Sequence, residues 1–171
     1  MISGLRGTSV NPIDTKGRVS LPTNFRKKLE ESELSLVKWI DNGMPQLRLY
    51  RSEDYDEFID KWFEEQGGRK VSNLEHERMG LQFEFSSVMV SLDSSHRIRI
   101  SQKMRDYAGI TDHVIFIGGR SFVSLFGDAA SEILSGVQLY DEDGQPAAQK
   151  ANQKAAQFLP VQPQVSDPDD E

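Results

Sequence analysis

The chain has 171 residues, 37% hydrophobic and 27% charged, the composition of a soluble globular protein with one sizeable domain or two small ones. It has no cysteine, which excludes a disulfide framework, a thiolate nucleophile and a cysteine zinc site, and no apolar run approaches the ~20 residues of a membrane span. The formal charge of −7, from 20 Lys+Arg against 27 Asp+Glu, taken alone argues against a polyanionic partner.

That average hides a distribution. Residues 1–29 carry six basic side chains (Arg6, Lys16, Arg18, Arg26, Lys27, Lys28) against one acid, Asp14, a net +5. Residues 30–70 are net −5, residues 71–136 net −2 and residues 137–171 net −5. An isolated charge run is ordinarily a solvated face. Here the basic cluster coincides with a turn motif.

Gly7 to Ile13 reads as an extended segment, followed by the turn-like Asp14-Thr15-Lys16-Gly17 and by Arg18-Val19-Ser20-Leu21, which alternates polar and apolar as a half-buried strand does. Together they predict a hairpin. Gly17 supplies the left-handed residue such a turn needs, and the Asp14 carboxylate can accept from backbone N–H groups two residues on. Pro22 ends the strand, and Thr23 to Leu29 is expected to be a short helix with Phe25 and Leu29 on one face. Leu34 to Ile40 and Leu47 to Tyr50 are two further strands, joined by the turn-rich Asp41-Asn42-Gly43-Met44-Pro45. Ser52 is placed to cap a helix with Glu53 and Asp54 in its first turn and an apolar stripe of Tyr55, Phe58, Ile59, Trp62 and Phe63, stopped by Gly67-Gly68. The stripe fits a core better than a base-stacking platform, because its spacing is helical and its polar neighbours are acidic. Ser72 and Glu75 have capping-box spacing before a second helix to about Gln82, followed by a strand from Val88 to Leu92.

Sliding the chain against itself by 79 residues lays Asp14 to Val19 over Asp93 to Ile98, Leu21 over Ile100 and Phe25-Arg26 over Met104-Arg105. Val114 to Ile117 and Phe122 to Phe126 repeat the strand pair, and Asp128 to Leu134 offers a shortened counterpart of the helix after Ser52. Neither copy is large enough to bury its apolar face alone, so the two are expected to pack together.

The paired Asp-x-x-x-Arg motifs, with Arg6-Gly7, Pro22, Phe25-Arg26, Leu92-Asp93…Arg97 and Arg105 to Ile110, resemble the MraZ family of bacterial transcriptional regulators over residues 4–135. The resemblance implies a mainly β, α+β fold with short helices: a pseudo-symmetric double-split β-barrel from two tandem SpoVT/AbrB-like units at residues 8–54 and 85–131, with a helical connection over 55–84. It also implies ring-like homo-oligomers and binding to direct repeats of double-stranded DNA in the promoter of the protein's own division and cell-wall gene cluster. Arg18, with Lys16 beside it, is then the leading DNA contact, and Arg97 and Arg99 come from the second motif. Three departures from the family pattern fall in that motif: His96 where Gly is usual, Ser101 where Pro is usual, and Arg99 where an apolar residue is more common.

The Asp14/Arg18 pair allows two roles. In one, Asp14 caps the turn and pairs with Arg18 on an ordinary surface. In the other, Asp14, Gly17 and Asp93 shape loops whose basic side chains meet phosphates or a guanine edge, the latter contributing about 1–3 kcal/mol of discrimination. Arg6, Arg26, Lys27 and Lys28 would extend the phosphate footprint or be plain surface. Enzyme readings find no support: His76, His96 and His113 lack metal-ligand spacing, no Gly-rich phosphate loop or nucleophile elbow occurs, and nothing singles out a carboxylate pair among the acids. No metal, cofactor, membrane or small-molecule substrate is expected, and the location implied is cytoplasmic and nucleoid-associated. Residues 137–171 read as a disordered acidic tail, or alternatively as a segment competing with DNA for the basic loops. The rival functions are an antitoxin-like AbrB-type protein or a ring-forming scaffold, each with another protein as main partner.

Overall fold

A computed structural model describes residues 1–66, 73–130 and 134. The Gly67-Gly68 stop, the Ser72 cap and the 137–171 tail lie outside these residues. Among the described residues eight strands and four helices form an α+β structure with antiparallel pairing throughout. In chain order they are β1 (Thr8–Pro12), β2 (Arg18–Ser20), α1 (Thr23–Leu29), β3 (Leu34–Asp41), β4 (Met44–Arg51), α2 (Ser52–Gln66), α3 (Asn73–Ser86), β5 (Ser87–Val90), β6 (Arg97–Arg99), α4 (Gln102–Ala108), β7 (His113–Gly118) and β8 (Val123–Phe126). A single 3-10 turn, Asp128–Ala130, follows β8. No helix among the described residues is long and apolar enough to cross a membrane.

Among the described residues six strands make one sheet in the order β1-β7-β8-β4-β3-β5, with β1 and β5 at its edges, and β2 forms a separate two-stranded ribbon with β6. The sheet does not close on itself through these pairings. The order corrects the expected hairpin of residues 7–21. The Asp14 turn forms, but its two arms stay paired only at the Ile13–Val19 bridge. Beyond it β1 runs along β7 and β2 along β6. Where the arms part, the Asn11 side chain donates to the Ser20 carbonyl (2.7 Å) in place of a ladder bond. β3 and β4 pair as a hairpin with a tighter turn than the expected Asp41 to Pro45: Asp41, Met44 and Pro45 belong to the ladder, and Asn42 and Gly43 alone close it, both at positive φ (47° and 77°), as a two-residue loop between twisted strands demands.

The core draws on both halves of the chain. Leu21, Phe25, Leu34, Leu36 and Leu49 from residues 1–51 pack with Ile98, Ile100, Val114, Phe116 and Leu125 from residues 87–126, all essentially without exposure. Residues 79 apart hold matching places from β2/β6 through α1/α4. Beyond α4 the buried pair Leu34 and Leu36 matches Val114 and Phe116, one residue further on, and Leu47 and Leu49 match Val123 and Leu125.

The opposite face of β3 and β4 is covered by α2 and α3, of 15 and 14 residues; α2 spans the stripe as read from Ser52, and the two helices make the fold mixed α+β rather than mainly β. Tyr55 and Phe58 of the α2 stripe pack on Val37, Trp39 and Tyr50, and Phe83 of α3 closes against Phe58, Trp62 and Phe63 at ring separations of 5.4–6.3 Å. The stripe packs on the sheet as expected of a core face, with Tyr55 buried and Phe58, Ile59, Trp62 and Phe63 half-buried. Ser52 is itself the first residue of α2, and its hydroxyl meets that of Ser35 (2.9 Å). The second helix runs to Ser86 rather than Gln82, and the strand after it is Ser87–Val90 rather than Val88 to Leu92. Phe83 is drawn into the aromatic cluster as part of a helix, which displaces the boundary.

Candidate nucleic-acid interface

Each Asp-x-x-x-Arg motif folds into the same turn. The Asp14 carboxylate accepts from the N–H groups of Lys16 and Arg18 (both 2.9 Å) and from Arg18 Nε (2.7 Å). The Asp93 carboxylate accepts from Ser95 N–H (2.8 Å), Arg97 N–H (3.0 Å) and Arg97 Nε (2.9 Å). Backbone bonds repeat as well: Asp14 N–H donates to Arg18 O and Gly17 N–H to Asp14 O, as Asp93 N–H does to Arg97 O and His96 N–H to Asp93 O, all at 2.9–3.0 Å. Hydrogen bonds to the ionised form hold both carboxyls below the usual aspartate range, foremost from the Arg18 N–H for Asp14 and the Arg97 N–H for Asp93.

Both turns need a left-handed residue at the fourth position. Gly17 supplies it at φ 79°, and a Cβ there would run into the Ile100 carbonyl. His96 adopts the same region at φ 56°. Histidine enters the left-handed region more readily than most side chains, so the departure from glycine is absorbed without loss of the turn. Its imidazole Nε2 then lies 3.8 Å from Glu30. Ser101, in place of proline, caps α4 by accepting from Met104 N–H (3.3 Å).

The two turns are latched crosswise. Gly17 O accepts from Ile100 N–H (2.7 Å) and His96 O from Leu21 N–H (2.9 Å), so each turn is tied to the residue after the other motif's strand. Between the latches runs the β2–β6 ribbon, in register Arg18↔Arg99, Val19↔Ile98 and Ser20↔Arg97. Val19 and Ile98 are buried beneath it. Alternation along a strand then puts Arg18, Ser20, Arg97 and Arg99 together on the solvent face.

The remaining candidates distribute around the ribbon. Lys16 projects from the first turn and is exposed. Arg26 lines a polar cleft with Ser20, Thr23, Asn24, Ser95 and His96, its guanidinium donating to Thr23 Oγ1 (2.9 Å). Arg6 and Lys27 are exposed and their side chains make no hydrogen bond or ion pair among the described residues. Lys28 is committed elsewhere, its ammonium donating to the Ser3 and Gly4 carbonyls (both 3.1 Å). Arg105 was missed among the site candidates, although the offset aligns it with Arg26. It packs against Gly17 from behind, with Nε buried and without a hydrogen-bond partner. Of the histidines, His76 stacks on Phe63 (3.9 Å) and His113 lies 3.6 Å from Asp128. Among the described residues no group of three or more His, Asp or Glu is arranged to hold a metal ion.

A family model described as "MraZ protein, putative antitoxin-like" matches residues 5–73. A protein of Tolumonas auensis is 34% identical over 115 residues, which cover 67% of this chain and 73% of that protein. One of Nitratidesulfovibrio vulgaris is 30% identical over 153 residues, covering 78% of this chain and 97% of the relative. A third, of Chlorobium luteolum, is 29% identical over 142 residues, covering 79% and 92%. Each carries the name "Transcriptional regulator MraZ". With similarity of this extent, this chain belongs to the MraZ family.

Proposed function

We propose that the chain is a sequence-specific DNA-binding transcriptional regulator that acts in the cytoplasm at the nucleoid. It binds direct repeats in the promoter of its own division and cell-wall gene cluster, through turn-borne basic residues displayed on an oligomeric ring. The observation that carries this reading is the ribbon with Arg18, Arg97 and Arg99 on one solvent face. A two-stranded β-ribbon fits the major groove, and arginine forks suit guanine edges and phosphates. The shared name of the relatives supports the same class of function. Arg18 and Lys16 are the leading contacts and Arg97 and Arg99 the second set. Arg6, Arg26 and Lys27 extend the phosphate footprint, and Asp14, Gly17 and Asp93 shape the loops.

On this reading residues 8–54 and 85–131 are tandem SpoVT/AbrB-like units of a double-split barrel, residues 55–84 connect them, and residues 137–171 are a disordered acidic tail. The matching turns, latches and buried positions support the pairing of units. One chain offers few phosphate contacts, so affinity is expected to rest on a ring that presents the same ribbon repeatedly at high effective concentration. The exposed apolar side chains Leu81, Phe85, Val88 and Met89, along α3 and the edge strand β5, support self-association. The same patch, with the words "antitoxin-like" in the family description, favours the second reading, a regulator whose main partner is another protein.

A gel-shift on the DNA upstream of the chain's own gene across a KCl series tests the proposal. The wild type is expected to bind with an affinity that falls steeply with salt. Arg18→Ala is expected to lose binding while keeping its far-UV circular dichroism and its oligomeric state. Wild-type binding by Arg18→Ala overturns the site, an obligate monomer with full affinity overturns the ring, and no binding by the wild type favours the protein-partner reading.

A further inference from the structure

The two ends of the β2–β6 ribbon carry different charge. At the end next to the first turn, Arg18 stands directly across from Arg99; at the other, Arg97 stands across from Ser20. Asp14 takes the Nε of Arg18 and Asp93 that of Arg97. Arg99 is exposed, and its side chain has no hydrogen bond or ion pair among the described residues. Lys16 sits on the first turn, and Arg105 packs behind it against Gly17. This end of the ribbon thus carries Lys16 on the turn, Arg18 across from Arg99, and Arg105 against Gly17, while among the described residues the one side-chain ion pair of these four cations is Arg18 with Asp14. At the second turn Arg97 and Arg26 are matched by Asp93 and by Glu30, which lies beside His96.

Like charges directly opposite one another on a two-stranded ladder repel, and the Arg18–Arg99 pair shares no carboxylate that would relieve it. An oxyanion between the two forks would relieve it, and a phosphodiester presents two oxygens for converging N–H donors. We propose that Arg18 and Arg99 together seat one backbone phosphate of the DNA, and that the Arg97–Ser20 end, lacking such a pair, gives each chain a fixed polarity along the duplex. The proposal rests on the DNA-binding reading above. It also bears on direct repeats, because a chain with two equivalent ends would sit on each repeat either way round.

The test uses the full chain on a duplex of its own upstream DNA. Arg99→Ser introduces the residue that position 20 carries and is expected to bind about tenfold more weakly at 0.1 M KCl, with a salt slope smaller by about one phosphate. Arg99→Gln, closer in size, is expected to show the same loss and guards against a folding defect in the first variant. The exchange Ser20→Arg with Arg99→Ser moves the paired arginines to the other end and is expected to restore the slope. Since the chain has no cysteine, Ser94→Cys gives a unique attachment point for a DNA-cleaving chelate on the second turn. Cleavage is expected on one side of each repeat, and on both sides once Arg99→Ser is added. If the wild type binds but Arg99→Ser and Arg99→Gln keep its affinity and slope, or if cleavage is two-sided from the start, this inference fails while the DNA-binding reading stands. If the wild type binds no duplex, both fail.

Discussion

Asp14 and Asp93 each gather three N–H donors onto one carboxylate, so the charge of the turn and its shape depend on the same proton. Both carboxyls titrate below the ordinary aspartate value of 3.8, because the donors favour the ionised form. The sign follows from linkage. A lowered folded-state value means that the stabilisation is complete above 3.8 and is lost as pH falls through the folded value, with no effect between pH 5 and 8. In an acid titration followed by amide NMR, the N–H resonances of Lys16, Arg18, Ser95 and Arg97 are expected to move together with midpoints under 3.8; midpoints at or above it would mean that the carboxylates do not hold the turns in solution. The residue scale was also where the sequence was most legible. Asp, Gly and Pro carry their conformational preferences with them, so Asp14, Gly17 and Pro22 announce turn, left-handed residue and strand end without knowledge of what surrounds them. His96 was readable for the same reason, and it keeps the turn by entering the left-handed region itself.

At the scale of elements, legibility depended on how local the deciding contacts are. The β3–β4 hairpin was readable because Asn42-Gly43 and the flanking apolar residues lie within one short window. The pairing of β1 with β7 and of β2 with β6 was not, since each joins residues about 80 or more apart and nothing in the local pattern names the partner. For the same reason Arg18, Arg97 and Arg99 can be picked out singly while their shared face cannot, and the offset that aligns Arg105 with Arg26 does not show that Arg105 lies against Gly17. α3 illustrates tertiary override. Leu81, Phe83 and Phe85 alternate with polar residues as a strand would, yet the segment is helical, with Phe83 packed among α2 aromatics and Leu81 and Phe85 exposed. Phe83 is therefore expected to be the residue that docks α3. Phe83→Ala removes its ring contacts with Phe58, Trp62 and Phe63 and should cost about 2–3 kcal/mol in urea unfolding. In a Trp39→Phe background, where Trp62 is the remaining tryptophan, its emission should shift to the red; unchanged emission and stability would mean that α3 is held by other contacts.

For the whole molecule the decisive fact is that its halves are threaded through each other. Among the described residues β1, from the first half, has its one ladder partner in β7 of the second, and β5, from the second half, has its one partner in β3 of the first. The crosswise latches of Gly17 to Ile100 and His96 to Leu21 repeat this on the ribbon, and the main core cluster mixes side chains from both halves without a seam. A half-chain would have to leave β2 without its β6 ladder and expose Phe25, Leu34 and Leu36 or their counterparts Met104, Val114 and Phe116 to water. Fully exposing one such large side chain costs roughly 1.5–3 kcal/mol, so exposing three is comparable to the 5–15 kcal/mol by which whole domains are stable. Residues 1–66 expressed alone are accordingly expected to be unfolded by far-UV circular dichroism. The full chain should melt in one transition, with fluorescence and circular dichroism midpoints coinciding. A folded 1–66 fragment, or two separated melting transitions, would show that the halves are independent domains in contact. Such independence would also remove the rigid coupling between the turns on which a ribbon of fixed polarity depends, because β2 and β6 belong to different halves and only their pairing holds Arg18 across from Arg99.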